Sequence, residues 1–277
     1  RDPDRAGVSS VPFPEGIRVG RSQNPWTFAL DTARLTKRSL LLTVRMPQLI
    51  ILGLLLPTMF VLLFRYVFGG AIIVPGYHSY VDYLIPGIVV QTALFGGSSS
   101  AVGVADDLSK GATDRFRSLP TSRGAILAAR TLADLVRLAY TIALIIGLGL
   151  LVGFRFHNGW LQVLAGAGLA LLFGYAISWL FTLLGLFVRN PETAAIAGSV
   201  IAFPLVFAAS TFTSTASMPH WLKLFAEHQP VSYTANAIRS LMLGTGPVQQ
   251  PVLHSVAWSC GIIVVSAFLA TWRFKKI

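Results

Sequence analysis

Six long apolar runs divide this 277-residue chain, and each is close to the length that crosses a lipid bilayer. A helix needs roughly 20 apolar residues to cross the hydrocarbon core. Only 12% of the residues are charged, about half the share of a soluble domain, and the mean hydropathy is +0.66. The predicted spans are residues 49–68, 84–105, 135–154, 161–188, 193–212 and 253–272. The sequence therefore predicts an all-α, polytopic membrane protein with six transmembrane helices.

The basic residues lie almost entirely in alternate connections between these spans. Eighteen of the 22 lysines and arginines fall on one side, which includes both termini and the connection after the second span. Basic connections remain in the cytoplasm, so this side is predicted to be cytoplasmic. Charge gathered in short segments between apolar runs is not the pattern of a nucleic-acid-binding face, and we expect no nucleic-acid partner. Because the sequence starts at Arg1 rather than at methionine, we expect the native N-terminus to lie upstream.

Two polar segments precede the first span. Residues 1–26 are rich in Pro, Gly, Ser and charge, and predict a flexible cytoplasmic tail. Residues 27–45 predict an amphipathic helix that lies in the cytoplasmic interface and contacts anionic lipids, before Pro47 breaks it. A plain juxtamembrane cluster of charge is the alternative. The basic face of the predicted interface helix consists of Arg34, Lys37, Arg38 and Arg45.

The largest external segment, residues 213–252, contains two helix-like stretches. They are residues 220–228 and 232–243, separated by Pro230 and closed by Gly244. Both are amphipathic and too short to span a bilayer. We therefore predict an extracellular helical hairpin, re-entrant or interfacial, before the last span.

The connection 106–134 is the longest cytoplasmic one and carries both signs of charge. Lipid binding favours positive charge alone, whereas a mixture suits a protein partner. Helical spacing also predicts that Asp134 pairs with Arg130 and with Arg137. The acidic residues interleaved with its basic ones are Asp106, Asp107, Asp114 and Asp134.

The predicted spans offer little for chemistry. Apart from Arg137 at the entry to the third and His254 at the entry to the sixth, the last five contain no acidic or basic side chain, and Arg65 in the first is near enough to its outer end to extend into the interface. Ion-coupled transporters and proton pumps usually need such groups, so the energy for uphill transport is expected from outside the chain. No phosphate-binding loop, metal-ligand spacing or nucleophile motif occurs. Two alternatives remain open: a stand-alone gradient-driven transporter, and a lipid-modifying membrane enzyme using His220, Glu227 and His228.

Polar and aromatic residues within the spans allow a substrate pathway. Packing is the competing interpretation, because small and aromatic residues also hold membrane helices together. The same two interpretations apply to Thr92 and the run 96–100. The candidate pathway residues are Phe60, Phe64, Gln91, Phe95, Phe203 and Phe207.

Taken in order, these features resemble the membrane subunits of type-2 ABC exporters, especially the daunorubicin-resistance permeases. The likeness rests on the basic helix before the first span, on residues 110–123 (KGATDRFRSLPTSR) and on the turn 189–192 (RNPE). It also rests on the external run from 218–222 (MPHWL) to 237–241 (AIRSL). Many members have Asn where this chain has Gln229.

The resemblance implies a permease that has no catalytic site and binds no cofactor or metal itself. Two separate ATP-binding subunits would bind ATP and Mg²⁺, and a second permease chain, identical or a sister, would complete the exporter. Its cargo would be a hydrophobic or amphiphilic drug, polyketide or lipid, moved outward across a bacterial plasma membrane. The segment that would contact the ATPase includes Lys110, Gly111, Asp114, Arg115, Phe116, Arg117, Leu119, Pro120 and Arg123.

Overall fold

The computed structural model describes residues 47–72, 74–77, 79–110 and 123–276. This part of the chain forms eight α-helices, one short 3-10 helix (Thr215–Ser217) and no strand, which confirms the predicted all-α class for these residues. The predicted tail 1–26, the predicted interface helix 27–45 and residues 111–120 of the coupling segment lie outside the described residues. The helices are α1 (Pro47–Tyr66), α2 (Tyr80–Ser109), α3 (Arg123–Leu151), α4 (Trp160–Val188), α5 (Pro191–Phe207), α6 (His220–His228), α7 (Pro230–Leu243) and α8 (Gln249–Lys276).

Four of the described helices are long and apolar enough to cross a membrane. They are α2, α4, the part of α3 over Leu127–Leu151 and the part of α8 over Gln249–Phe274. Two more apolar stretches are shorter, Gly53–Tyr66 in α1 and Pro191–Phe207, which is α5. All six lie at the predicted spans, but only four have the full length, so the count of six spans stays a prediction.

Helix α2 lies at the centre of the bundle and contacts α1, α3, α4, α5 and α7. Every residue from Tyr80 to Leu94 is buried, so this stretch has no lipid-facing side. Small residues allow the neighbours to come close: a Cβ at Gly185 of α4 would lie 2.5 Å from the Ala101 carbonyl oxygen of α2. Close backbone approach is a main source of helix association in membranes. The centre of the fold is therefore α2 against α4.

Local signals fix where several helices begin and end. The Ser79 side chain accepts a hydrogen bond from the Val81 amide and caps α2. Asn190 caps α5 through the Thr193 amide, 3.1 Å away, and Pro191 occupies the first helical position. Gly244 ends α7 with a φ of 71°, a left-handed conformation that glycine adopts without strain. Of these boundaries, the end of α7 at Gly244 was predicted from the sequence.

Helices α6 and α7 cover one end of the bundle, where α2, α4 and α8 begin. We call this the hairpin end, and the opposite end, from which residues 111–122 leave, the connection end. Two helices were predicted here as a re-entrant or interfacial hairpin; both helices are present, and their position relative to the membrane stays a prediction. Ten of the 14 residues of α7 are buried, and it contacts α2, α4 and α8. Only Ala226 is buried in α6, whose Trp221 and Leu224 are exposed.

Helices α2 and α3 extend beyond the predicted spans. Asp82 lies in the first turn of α2, and Asp134 lies inside α3, in the segment predicted as part of the connection 106–134. Both carboxylates are largely shielded: Asp82 is 5% exposed, and the Asp134 side chain is 16% exposed. The statement that these spans lack acidic residues therefore holds for the predicted bounds and not for the helices.

Candidate functional site

Two ion pairs flank residues 111–122 at the connection end. Arg130 of α3 pairs with Asp107 of α2 and joins the two helices. Lys110 pairs with Asp106, and this hydrogen bond raises the pKa of Lys110 above its usual value. The predicted pair between Arg130 and Asp134 is wrong, because the end of α2 offers Arg130 a carboxylate on a neighbouring helix. Of the predicted coupling residues, Lys110 and the backbone of Arg123, which begins α3, are described.

The predicted pair between Asp134 and Arg137 is confirmed, at 3.0 Å. Both residues also bind α2: the Ser100 hydroxyl donates to Asp134 over 2.5 Å, and Arg137 donates to the Ser99 hydroxyl over 2.5 Å. One serine pair on α2 thus contacts one ion pair on α3. The small residues at 96–100 therefore serve helix contact at Ser99 and Ser100.

Five phenylalanines form one aromatic cluster between α1, α5 and the loop after α5. Phe64 stacks on Phe212 with ring centroids 4.5 Å apart and planes 7° apart. Phe60 stacks on Phe212 at 5.6 Å and lies against Phe207 at 6.4 Å. Phe203 stacks on Phe207 at 5.8 Å. Of the predicted pathway residues, this cluster contains Phe60, Phe64, Phe203 and Phe207.

The two remaining pathway residues lie on one face of α2. The Phe95 ring meets the edge of Phe203 at 5.2 Å, which extends the cluster to α2. Gln91, one turn earlier, is buried and lines a cavity whose wall also includes Phe95. The structure therefore joins five of the six through ring contacts and brings Gln91 to the same cavity as Phe95.

A buried arginine organises the hairpin end. The sequence pattern had indicated only that this residue lies on the side of the membrane opposite the cytoplasm. Arg239 of α7 is fully buried. Its Nε donates to the Tyr83 carbonyl over 2.9 Å, and Nη2 donates to the Thr211 carbonyl over 3.0 Å. Nη1 donates to Asn236 Oδ1 over 2.9 Å. All three acceptors are neutral oxygens.

Arg239 and neighbouring side chains form hydrogen bonds with backbone groups of the loop 208–213, which follows the end of α5. The Tyr80 hydroxyl donates to the Phe212 carbonyl over 2.8 Å, and the Tyr83 hydroxyl lies 2.8 Å from the Ser210 carbonyl. The Ser232 hydroxyl accepts from the Ser210 amide over 3.0 Å. Inside a membrane, non-helical backbone is tolerated only where protein groups bind it. Side chains of α2 and α7 supply those groups here.

The position of Arg239 in the helical pattern of α7 indicated a buried side chain, although its charge suggested an exposed one. Arg239 follows Ala235 by four residues and precedes Met242 by three, so it lies on the apolar face of α7. A charged residue on such a face is rarely buried without partners. The Tyr83 carbonyl is 156 residues away in α2, and the Thr211 carbonyl is 28 residues away in the loop after α5, which is why the pattern of α7 alone did not identify them.

Two of the three side chains proposed for an enzyme site, Glu227 and His228, have local partners. Glu227 accepts from Thr215 over 3.1 Å and pairs with Lys223 at 3.8 Å. His228 Nδ1 lies 2.9 Å from the Leu224 carbonyl of its own helix. Among the described residues, no group of three or more His, Cys, Asp or Glu side chains is arranged to hold a metal ion. The geometry gives no support to catalysis at this surface.

Comparison with known proteins gives a consistent set of relatives. Residues 31–243 match the family model described as ABC-2 type transporter. The chain is 33% identical, over 80% of its length and 78% of the relative's, to the daunorubicin resistance ABC transporter permease protein DrrB1 of Streptomyces coeruleorubidus. It is 31% identical, over 90% of each chain, to the probable doxorubicin resistance ABC transporter permease protein DrrC of Mycobacterium tuberculosis. A putative transport permease of Cyanophora paradoxa, ycf38, is 27% identical over 88% of this chain and 87% of its own length.

Proposed function

The chain belongs to the ABC-2 type transporter family, as a membrane permease, and we propose that it moves a hydrophobic or amphiphilic cargo outward at the expense of ATP bound by separate subunits. In this proposal two ATP-binding subunits carry ATP and Mg²⁺, and a second permease chain, identical or a sister, completes the exporter. The cargo class is a drug, polyketide or lipid. The membrane is a bacterial plasma membrane crossed six times, with both termini in the cytoplasm.

The observation that carries the coupling part of this proposal is the Asp107–Arg130 ion pair. It joins α2 to α3 at the two points where residues 111–122 leave and re-enter the described part of the chain. Lys110 and Asp106 add a second pair on the α2 side. A force applied to residues 111–122 therefore reaches α2 and α3 together. This is the arrangement expected of a segment that transmits ATPase motion.

Helix α2 offers a route from that segment to the opposite end of the bundle. It is a continuous helix of 30 residues, and its first turns are bound by Arg239 of α7. On closure of the ATPases, displacement of α2 would move α7 and the loop 208–213 with it. In the proposed cycle this motion repacks α1, α2 and α5 against the second permease chain.

The outward surfaces of α1 and α5 support a partner of the same kind. Met59 of α1 and Phe203 and Phe207 of α5 are about half exposed, although the two phenylalanines belong to the aromatic cluster. A row of half-exposed aromatic rings suits a second membrane helix or a lipid chain. We assign it to the second permease chain, because a bundle of six spans is too small to enclose a wide pathway alone.

The test is co-purification with a candidate ATP-binding subunit, followed by charge reversal at Asp114, Arg115 and Arg117. We expect reversal to reduce the amount of bound ATPase and the ATP-dependent transport several-fold. Reversal of Lys223 in α6, at the hairpin end, is the matched control and should leave both unchanged. Normal ATPase binding after reversal at all three positions would refute this placement of the coupling segment.

A gradient-driven transporter is the second candidate, and two shielded carboxylates favour it. Asp82 accepts from the Arg155 amide over 3.3 Å, and Asp134 is held by Ser100 and Arg137. Membrane-embedded carboxylates often serve ion coupling. Purified chain in liposomes, without any ATPase, distinguishes the two functions: ion-coupled flux that is lost in Asp134→Asn would replace the ABC exporter proposal.

A further inference from the structure

A cavity of about 390 Å³ lies between α1, α2 and α3 and borders the aromatic cluster at Phe95. Its walls include Leu56 and Pro57 of α1, Gln91 and Phe95 of α2, and Leu138 and Tyr140 of α3. Leu56 and Tyr140 are 47% and 51% exposed, so the cavity reaches the lateral surface of the bundle between α1 and α3. Its volume is within the range of sites for small organic ligands, roughly 300–1,000 Å³.

One end of the cavity is lined by two opposite charges, so this end carries no net charge. Asp134 and Arg137 line it and pair with each other at 3.0 Å. The two oxygens of Asp134 are occupied by Ser100 and Arg137, and Arg137 also binds Ser99. A ligand that carries a net charge would meet an ion of its own sign as close as one of the opposite sign. The site therefore favours a ligand without net charge.

The other polar end has an acceptor without a donor. The Oε1 atom of Gln91 is buried and has no hydrogen-bond partner among the described residues, and the whole residue is 2% exposed. A buried acceptor left unpaired costs about 1–3 kcal/mol. Buried polar groups normally form hydrogen bonds, so we expect a donor from outside the bundle to bind this atom. A hydroxyl or amide N–H of a ligand in the cavity would supply it.

We propose that this cavity is the cargo-binding site of the permease and that it takes uncharged amphiphiles with an apolar body and a hydroxyl or amide donor. The donor binds Gln91 Oε1. The body lies against Phe95, Leu56, Pro57 and Leu138, and the ligand's polar atoms face the Asp134–Arg137 pair. The physiological meaning rests on the proposed exporter function, whereas binding is a property of this chain alone. Lateral opening lets such a ligand enter directly from the bilayer.

The test uses the full chain in detergent, with Cys260→Ser to remove its one native thiol. Leu56→Cys places a reporter thiol in the cavity wall, and Val264→Cys places a control thiol on α8, where Val264 is 68% exposed. The probes are pyrenemethanol, which has a hydroxyl donor, and its methyl ether, which has none. The measurement is the rate of maleimide labelling as a function of probe concentration.

We expect pyrenemethanol to slow labelling at position 56 and to bind roughly five- to tenfold more tightly than the ether, the value of one hydrogen bond. Gln91→Met keeps the length of the side chain and removes the acceptor, so it should abolish this preference by weakening the alcohol alone. Gln162→Met, the same change at an exposed position of α4, should preserve the preference.

Three outcomes would overturn the proposal: no protection at position 56, equal protection at position 264, or a preference that survives Gln91→Met. The comparison of alcohol and ether needs no change at Gln91, so a Gln91 variant that fails to fold leaves the test intact. If the chain binds the probe but recruits no ATPase, the binding-site proposal stands and the proposed exporter function is refuted. If the chain exports cargo with ATP but shows no protection at position 56, the exporter function stands and the binding-site proposal is refuted.

Discussion

The guanidinium carbon of Arg239 lies 3.5 Å from the centroid of the Tyr83 ring, and the same side chain binds the Tyr83 carbonyl. These residues are 156 positions apart in the sequence. A cation over an aromatic face in a desolvated site is worth about 2 kcal/mol. Arg239 also binds Thr211, so one side chain ties α7 to the start of α2 and to the loop after α5. This contact holds the hairpin end of the bundle together.

Arg239→Met should destabilise the protein by about 3 kcal/mol or more, because several buried acceptors lose a charged donor. Arg239→Lys should be nearly as harmful, since one ammonium cannot reproduce the planar fork that reaches Tyr83, Asn236 and Thr211. Unfolding of the detergent-solubilised chain measures both. Lys223→Met is the control, and its exposed ion pair should contribute no more than about 1 kcal/mol. Equal losses at positions 239 and 223 would contradict the assigned role.

Gly87→Ala should displace the loop 208–213. A Cβ at position 87 would overlap the Thr211 carbonyl and lie 3.1 Å from Nη2 of Arg239. Overpacking of this kind costs about 1–3 kcal/mol. Gly168→Ala in α4 is the matched control, because a Cβ there meets nothing within 4 Å. The control should leave stability unchanged or raise it by up to about 1 kcal/mol. If Gly87→Ala left stability unchanged, the loop 208–213 would be shown to move aside without a cost in free energy.

Reversing one member of the Asp107–Arg130 pair should loosen the connection end. Arg130→Asp places two carboxylates together, and the double variant with Asp107→Arg restores opposite charges. Because both side chains are partly exposed, we expect a coupling free energy of about 0.5–1 kcal/mol in a double-mutant cycle. ATP-dependent transport should fall in the single variant and recover in the double one. Transport that falls equally in both would mean that residue identity, not the charge pair, matters.

The stacked pair Phe64–Phe212 should show a measurable coupling. Phe64→Leu and Phe212→Leu each remove one of two rings 4.5 Å apart. Stacked pairs contribute about 0.5–1.5 kcal/mol beyond the area they bury, and this should be the coupling energy of the cycle. Phe268→Leu on α8, at a position 68% exposed, is the control for the substitution itself. Additive losses at positions 64 and 212 would show that the stacking adds nothing.

The positions of the helices followed from local features of the sequence. Apolar runs located the six helices that correspond to the predicted spans, and Gly244 marked the end of the second external helix. The short helices α6 and α7 were also expected from local pattern. The predicted ends of α2 and α3 fell short, because Asp82 and Asp134 lowered the local hydropathy although the folded bundle shields them.

Among the contacts of the candidate sites, one ion pair was predictable from the sequence and another was not. The Asp134–Arg137 pair was predictable, because spacing within one helix fixes which side chains meet. The Asp107–Arg130 pair was not, because its members lie on different helices and meet only when α2 and α3 pack.

The sequence by itself determined that this chain forms apolar helices, where along the chain they lie, and which family it resembles, since hydropathy and motif order are carried by each segment alone. Only the tertiary structure decided that Arg239 is buried against Tyr83, that Phe64 stacks on Phe212, and that Gln91 lines a cavity between α1, α2 and α3. The physical reason is distance along the chain. Each of these contacts depends on how whole helices pack, and no local pattern of residues records that packing.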